Sequence, residues 1–163
     1  RGLSSIKSKY QGEKKMKKII FVLLSIALIV VGLSACAPAP EGPQIEISGV
    51  WGRPSPMKAG NGAVYMLISN TGSEDDKLIS AYADVAEVVE LHDMTMEDDI
   101  MKMFHVEYME VPAGGSVELK PGSKHIMFIG LFEKLEVGQI FSVELEFEKA
   151  GKMTVDVEVK EAE

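Results

Sequence analysis

The sequence predicts an all-β fold, an antiparallel β-sandwich of about seven to eight strands with Greek-key connections. Two-residue alternation is the first observation. Phe141, Val143, Leu145 and Phe147 alternate with Ser142, Glu144 and Glu146, and Met153, Val155, Val157 and Val159 alternate with Thr154, Asp156 and Glu158. Between them Lys149-Ala150-Gly151-Lys152 is a turn, so the segment reads as a hairpin with one wet face. The second observation is the recurrence of turn chemistry at Asn70-Thr71-Gly72, Pro112-Ala113-Gly114-Gly115 and Pro121-Gly122-Ser123. The third is that no convincing amphipathic helical period appears among the residues that would form the domain.

The elements follow in order. Residues 1–15 read as an upstream extension or readthrough. From Met16-Lys17-Lys18 a basic n-region leads into an apolar run, Ile19 to Leu33, that is too short for a membrane span and suits a signal peptide. The run closes in Leu33-Ser34-Ala35-Cys36, which resembles a bacterial lipobox, so Cys36 is the expected lipidation site and residues 1–35 the removed segment. Residues 36–44, with three prolines after the cysteine, are expected to be an extended tether holding the domain off a membrane. A single domain then spans residues 45–160. Its strand candidates ahead of the final hairpin are Ile45 to Val50, Ala63 to Ser69, Lys77 to Tyr82, Glu87 to His92, Ser116 to Leu119 and Lys124 to Leu131.

Composition narrows the function. Seven of the 17 basic residues and one of the 25 acidic ones precede Cys36, so the mature chain carries a net charge of −14. A nucleic-acid partner is therefore excluded, and the acidic surface is expected to keep an extracytoplasmic domain soluble. Cys36 is the single cysteine. Once it is lipidated, the chain has no thiolate ligand, disulfide or redox pair, which excludes blue-copper and thioredoxin-like chemistry. No Ser-His-Asp arrangement or Cys-His pair is discernible, and the chain is not expected to be an enzyme.

Four residues remain that could hold a metal. His92 is followed after ten residues by Met103, and after twenty-one more by His125 and Met127. Imidazole and thioether are neutral, soft donors suited to Cu(I), whereas Ca²⁺ and Mg²⁺ require oxygen. His125 and Met127 lie two apart on a predicted strand and so share a face, opposite Ile126 and Phe128. His92 is expected to end a strand and open a loop, Asp93 to Lys102, that returns Met103 to the site. Taken singly, a His-x-Met pair in a strand is commonly a packing pattern, and Met94, Met96, Met101, Met103 and Met109 read equally as core or as an adaptable surface. Asp93, Glu97, Asp98 and Asp99 lack the spacing of a calcium loop and read as a solvated acidic turn. His105 reads as a surface or supporting residue.

The combination is more specific. Glu90-Leu91-His92-Asp93-Met94-Thr95-Met96-Glu97-Asp98, Met101-Lys102-Met103, Val111 to Gly115, Val117 to Gly122 and His125-Ile126-Met127 closely resemble the PCuAC family of periplasmic copper chaperones. Trp51, Gly62 to Met66, Asn70-Thr71-Gly72 and Phe147 to Gly151 extend the resemblance over residues 45–159. It implies a cupredoxin-like sandwich that binds Cu(I) through His92, Met103, His125 and Met127, with Met94 as an auxiliary donor. It also implies delivery of copper to a membrane-bound acceptor, usually the CuA centre in cytochrome c oxidase subunit II. Residues 159–163 lack the His- and Met-rich tail of some relatives, so one copper site is expected. The alternative is a metal-free β-sandwich lipoprotein serving envelope adhesion or assembly.

Overall fold

A computed structural model describes residues 41–55, 60–97 and 100–161. The expected signal segment, Cys36 and the first part of the tether lie outside the described residues. Among the described residues ten strands form. They are β1 (Ile45–Gly52), β2 (Gly62–Asn70), β3 (Asp76–Tyr82), β4 (Ala86–Glu97), β5 (Ile100–His105), β6 (Met109–Val111), β7 (Ser116–Leu119), β8 (His125–Leu131), β9 (Ile140–Phe147) and β10 (Gly151–Val159).

Hydrogen bonding runs β5-β4-β8-β2-β1-β10-β9-β3-β6, with β7 also on β2. Two layers arise because β1 belongs to both ends of this path. It pairs with β2 along its length, from Ile45 opposite Asn70 to Gly52 opposite Val64, with a bulge between Ser48 and Trp51 where Gly49 sits at φ 60°, and on their other side Trp51 and Gly52 pair with Glu158 and Val159 of β10. One layer is thus β5-β4-β8-β2-β1 with β7, and the other is β10-β9-β3-β6. The all-β class holds, with two corrections. Among the described residues there are ten strands rather than seven or eight, because β5 is exposed on both faces and β6, Met109–Val111, is too short to show a period. In addition, the β1–β10 pair is parallel, and through it the end of β1 joins the second layer while staying paired with β2.

Alternation sorts the faces as the sequence implies. Val64, Met66, Ile68, Ile126 and Phe128 of the first layer meet Leu78, Val143, Leu145, Phe147 and Val157 of the second in one apolar core. Asn70, itself buried, is fully satisfied. Its Oδ1 accepts from the amides of Gln44 and Gly72 at 3.0 Å, and its Nδ2 donates to the carbonyls of Glu74 and Val111. A Cβ on Gly72 would stand 2.1 Å from the Gly42 carbonyl oxygen, so this turn admits glycine alone. It also anchors Gly42 and Gln44, the described end of the expected tether, to the domain.

Candidate metal centre

The segment Asp93 to Lys102 is not a loop. β4 continues through His92 to Glu97 and turns back as β5, so His92 sits within a strand. The reason is cross-strand pairing: His92 faces His105, Met94 faces Met103 and Met96 faces Met101 in one unbroken antiparallel register. Threonine and phenylalanine at 95 and 104 add β propensity that outweighs the acidic residues between.

This extension places the histidines in line. β4 pairs on its other side with β8, where His92 stands opposite His125. Directly paired residues of antiparallel strands share a face, so His105, His92 and His125 form a row across three adjacent strands. The imidazole centroids of His92 and His105 are 6.2 Å apart and those of His92 and His125 are 5.7 Å apart. Tyr65 of β2 continues the row at 6.3 Å from His125, and Trp51 of β1 packs on Tyr65 at 4.6 Å. The whole row lies on the outer face, away from Ile126 and Phe128, as two-residue alternation requires.

Next to it is a cleft of about 450 Å³ whose lining includes Met94, Met103, His125, Met127, Tyr65 and Arg53. The Pro121-Gly122 turn forms part of its wall, with Gly122 in the left-handed region at φ 78°. Met127 reaches the cleft because it shares the outer face with His125. Met103 arrives from β5, opposite Met94. The structure therefore brings Met103, His125, Met127 and Met94 to one cleft. His92 is not among its lining residues but stands directly beside His125, and its Nδ1 is buried with no hydrogen-bond partner among the described residues.

The hydrogen bonds assign the ring nitrogens. Glu90, two residues before His92 and on the same face, accepts from His92 Nε2 at 2.8 Å. That fixes the proton on Nε2 and turns the lone pair toward Nδ1, the unpartnered atom. His125, only 3 % exposed, donates from Nδ1 to the Ser123 carbonyl at 2.8 Å and keeps its lone pair on Nε2. Each imidazole thus has one nitrogen held and one available, the arrangement of metal-ligating histidines with an oriented outer partner. Burial pushes the Tyr65 phenol above its ordinary pKa, and the neighbouring Arg53 opposes that shift.

Other candidates separate cleanly. Met109 is core, only 1 % exposed, while Met96, Met101 and Met103 are all exposed. His105 is exposed on β5 and reaches the row only through His92. Among the described residues no group of three or more His, Cys, Asp and Glu side chains is clustered for a metal. Sequence reasoning missed Glu90, Tyr65 and Arg53 as neighbours of the site. The two-residue period linking Glu90 to His92 was an available signal, whereas the approach of β2 to β8 was not.

Residues 45–159 match the family model described as putative lipoprotein LpqE-like. The chain belongs to the LpqE-like lipoprotein family. A putative lipoprotein of Leifsonia xyli is 30 % identical over 149 residues, 84 % of this chain and 87 % of that protein. An uncharacterised protein of Rickettsia prowazekii is 29 % identical over 113 residues, 67 % of this chain and 62 % of that one. Among solved structures this LpqE-like chain is similar to the copper-bound PCuAC domain of PmoF2, with a TM-score of 0.61 and 24 % identity over 77 % of this chain and 97 % of that domain. It is likewise similar to Cu(I)-bound DR1885 of Deinococcus radiodurans, with a TM-score of 0.54 and 25 % identity over 78 % of this chain and 83 % of that one. The fold of this LpqE-like protein is therefore the cupredoxin-like fold of PCuAC domains.

Proposed function

We propose that this protein is an extracytoplasmic Cu(I) carrier, lipid-anchored through Cys36, that binds one Cu(I) and hands it to a membrane-bound acceptor. The proposed ligands are His92 through Nδ1, Met103, His125 through Nε2 and Met127, with Met94 auxiliary. The observation that carries this reading is the buried, unpartnered Nδ1 of His92 beside His125, which lines one cleft together with three methionines. An orphaned buried nitrogen is costly unless something occupies it, and a soft cation satisfies it where a water would find few polar partners. The PCuAC neighbours, two of which were solved with copper bound, support the same choice.

The donor set explains carriage rather than catalysis. Two imidazoles and two thioethers are all neutral, so bound Cu(I) keeps its single positive charge. A thiolate-bearing acceptor offers anionic sulfur and draws the ion away by stepwise ligand exchange. The acceptor implied by the PCuAC resemblance is the CuA centre of cytochrome c oxidase. A lipid anchor would hold carrier and acceptor on one membrane, raising their effective concentration.

Anaerobic titration of the chain from Ala37 onward with Cu(I), against a chromophoric chelator, tests the reading. One tightly held Cu(I) per chain, lost in the Met103→Ala, His125→Ala double variant, is the expected result. Absence of binding, or binding indifferent to both changes, overturns it and leaves a metal-free envelope sandwich.

A further inference from the structure

The hairpin that carries Met103 holds more thioethers than the proposed inner site uses. Successive same-face pairs between β4 and β5 are His92 with His105, Met94 with Met103, and Met96 with Met101. Every position of that face is a soft donor. The opposite face, with Thr95 against Lys102 and Glu97 against Ile100, shows no such choice. Met94 and Met103 line the cleft, and Met96 and Met101 are the next pair outward.

Packing does not account for this outer pair. Met96 is 62 % and Met101 is 48 % exposed, although burial is what an apolar side chain contributes to stability. A cross-strand pair serving only to hold a hairpin is better made from β-branched or aromatic residues, since flexible methionine specifies strands poorly. Directly opposed residues hold their Cβ atoms about 5 Å apart, close enough for two flexible thioethers to converge on one ion. The outer pair also adjoins the cleft. The Met101 methyl lies 3.6 Å from where a Cβ on Gly122 would stand, and Gly122 is part of the cleft wall.

We propose that Met96 and Met101 form a second, outer thioether station for a soft monovalent cation, from which Cu(I) passes to Met94 and Met103 and so into the cleft. Two neutral thioethers on an exposed hairpin hold the ion weakly, as an entry point requires, so tight binding stays at one Cu(I) per chain. The passage is ligand exchange alone. Bonds to the outer sulfurs break as bonds to the inner pair form, and the copper remains Cu(I) with no electron or proton transferred. The direction of transfer rests on the proposed inner site, whereas the existence of the outer station does not.

Ag(I), a redox-inert surrogate, separates the two. The full chain in detergent micelles, labelled with ¹³C at the methionine ε-methyls, is titrated with silver, with buried Met66 and Met109 as internal references. The Met103 and Met127 signals are expected to shift first, and those of Met96 and Met101 in fast exchange once the inner site fills. In Met103→Ala, His125→Ala the Met96 and Met101 signals shift from the first addition. Outer methyls that stay unmoved in both proteins overturn the station and leave the inner site standing. Outer shifts without inner ones overturn the inner site and keep the station. A kinetic arm reads its role. Met96→Leu, Met101→Leu preserves volume and the hairpin, and is expected to slow Cu(I) uptake from a chelator several-fold at unchanged final affinity. An unchanged rate overturns the entry role.

Discussion

The hairpins β4–β5 and β9–β10 are built alike and used differently. Both pair antiparallel in unbroken register, β9–β10 from Ile140 opposite Glu158 to Phe147 opposite Gly151. In β9 one face is buried as Val143, Leu145 and Phe147, and the other is spanned by the Glu144–Lys152 ion pair and the Ser142–Asp156 hydrogen bond. In β5 all six residues are exposed, and the face shared with β4 consists of His and Met. β9–β10 is therefore held by burial in the common core. β4–β5 beyond Leu91 is held by backbone hydrogen bonds and side-chain pairs, each contributing under about 1 kcal/mol. A strand freed from the core can present donors at a regular spacing, and it gives up local stability to do so.

The largest effect should come from the buried hairpin. Phe147→Ala removes a core ring that is 2 % exposed and is expected to cost about 3–5 kcal/mol, a large part of a small domain's stability, read from the denaturant midpoint. The Cu(I) stoichiometry of the folded fraction should not change. The matching change in the other hairpin, Phe104→Ala at a ring 43 % exposed, is expected to cost less than about 1 kcal/mol. Comparable losses at both sites would show that β5 shares the core after all.

The second effect falls on the histidine row. Glu90→Leu deletes the acceptor that holds the His92 proton on Nε2, at 2.8 Å, and is expected to lower Cu(I) affinity by about 10–100-fold. Glu90→Gln retains an amide oxygen that can accept the same hydrogen bond, so most of the affinity should survive. Chelator competition on the three proteins distinguishes orientation of the ring from simple loss of a negative charge, for which leucine and glutamine would be equivalent.

The parts legible in the sequence share a physical basis. Strands whose apolar residues alternate, such as β9 and β10, announce both their existence and their buried face, because a two-residue period is the direct imprint of a sheet on a core. The shared face of His125 and Met127 followed from that rule alone. β5 carries no such imprint. Its residues are exposed on both faces, so Asp93 to Lys102 read as a loop, and the strand became visible only through its register with β4. The same cause hid the opposition of His92 to His105. Tyr65 and Arg53 were illegible for a different reason: Tyr65 reaches the cleft through the pairing of β2 with β8, a contact between residues about sixty positions apart, and Arg53 follows β1 and is held to β2 by its amide on the Ala63 carbonyl, and no local pattern encodes either.

The smallest effect tests the face rule at its sharpest point. Asp93 follows His92 and Lys124 precedes His125, and the two form an ion pair of 2.7 Å between β4 and β8. Adjacent in sequence to the proposed ligands, they lie on the other face of the sheet, the side of Leu91 and Ile126. Both are partly exposed, so the pair is screened and should contribute less than about 1 kcal/mol. Lys124→Met keeps the apolar stem and removes the charge. Its small destabilisation should vanish in about 1 M salt, where the Debye length falls to about 3 Å. Cu(I) affinity should be the same as that of the parent protein. A fall in affinity would mean that the sheet transmits the change through its plane to the ring pair of His92 and His125, and the independence of the two faces of β4 would have to be abandoned.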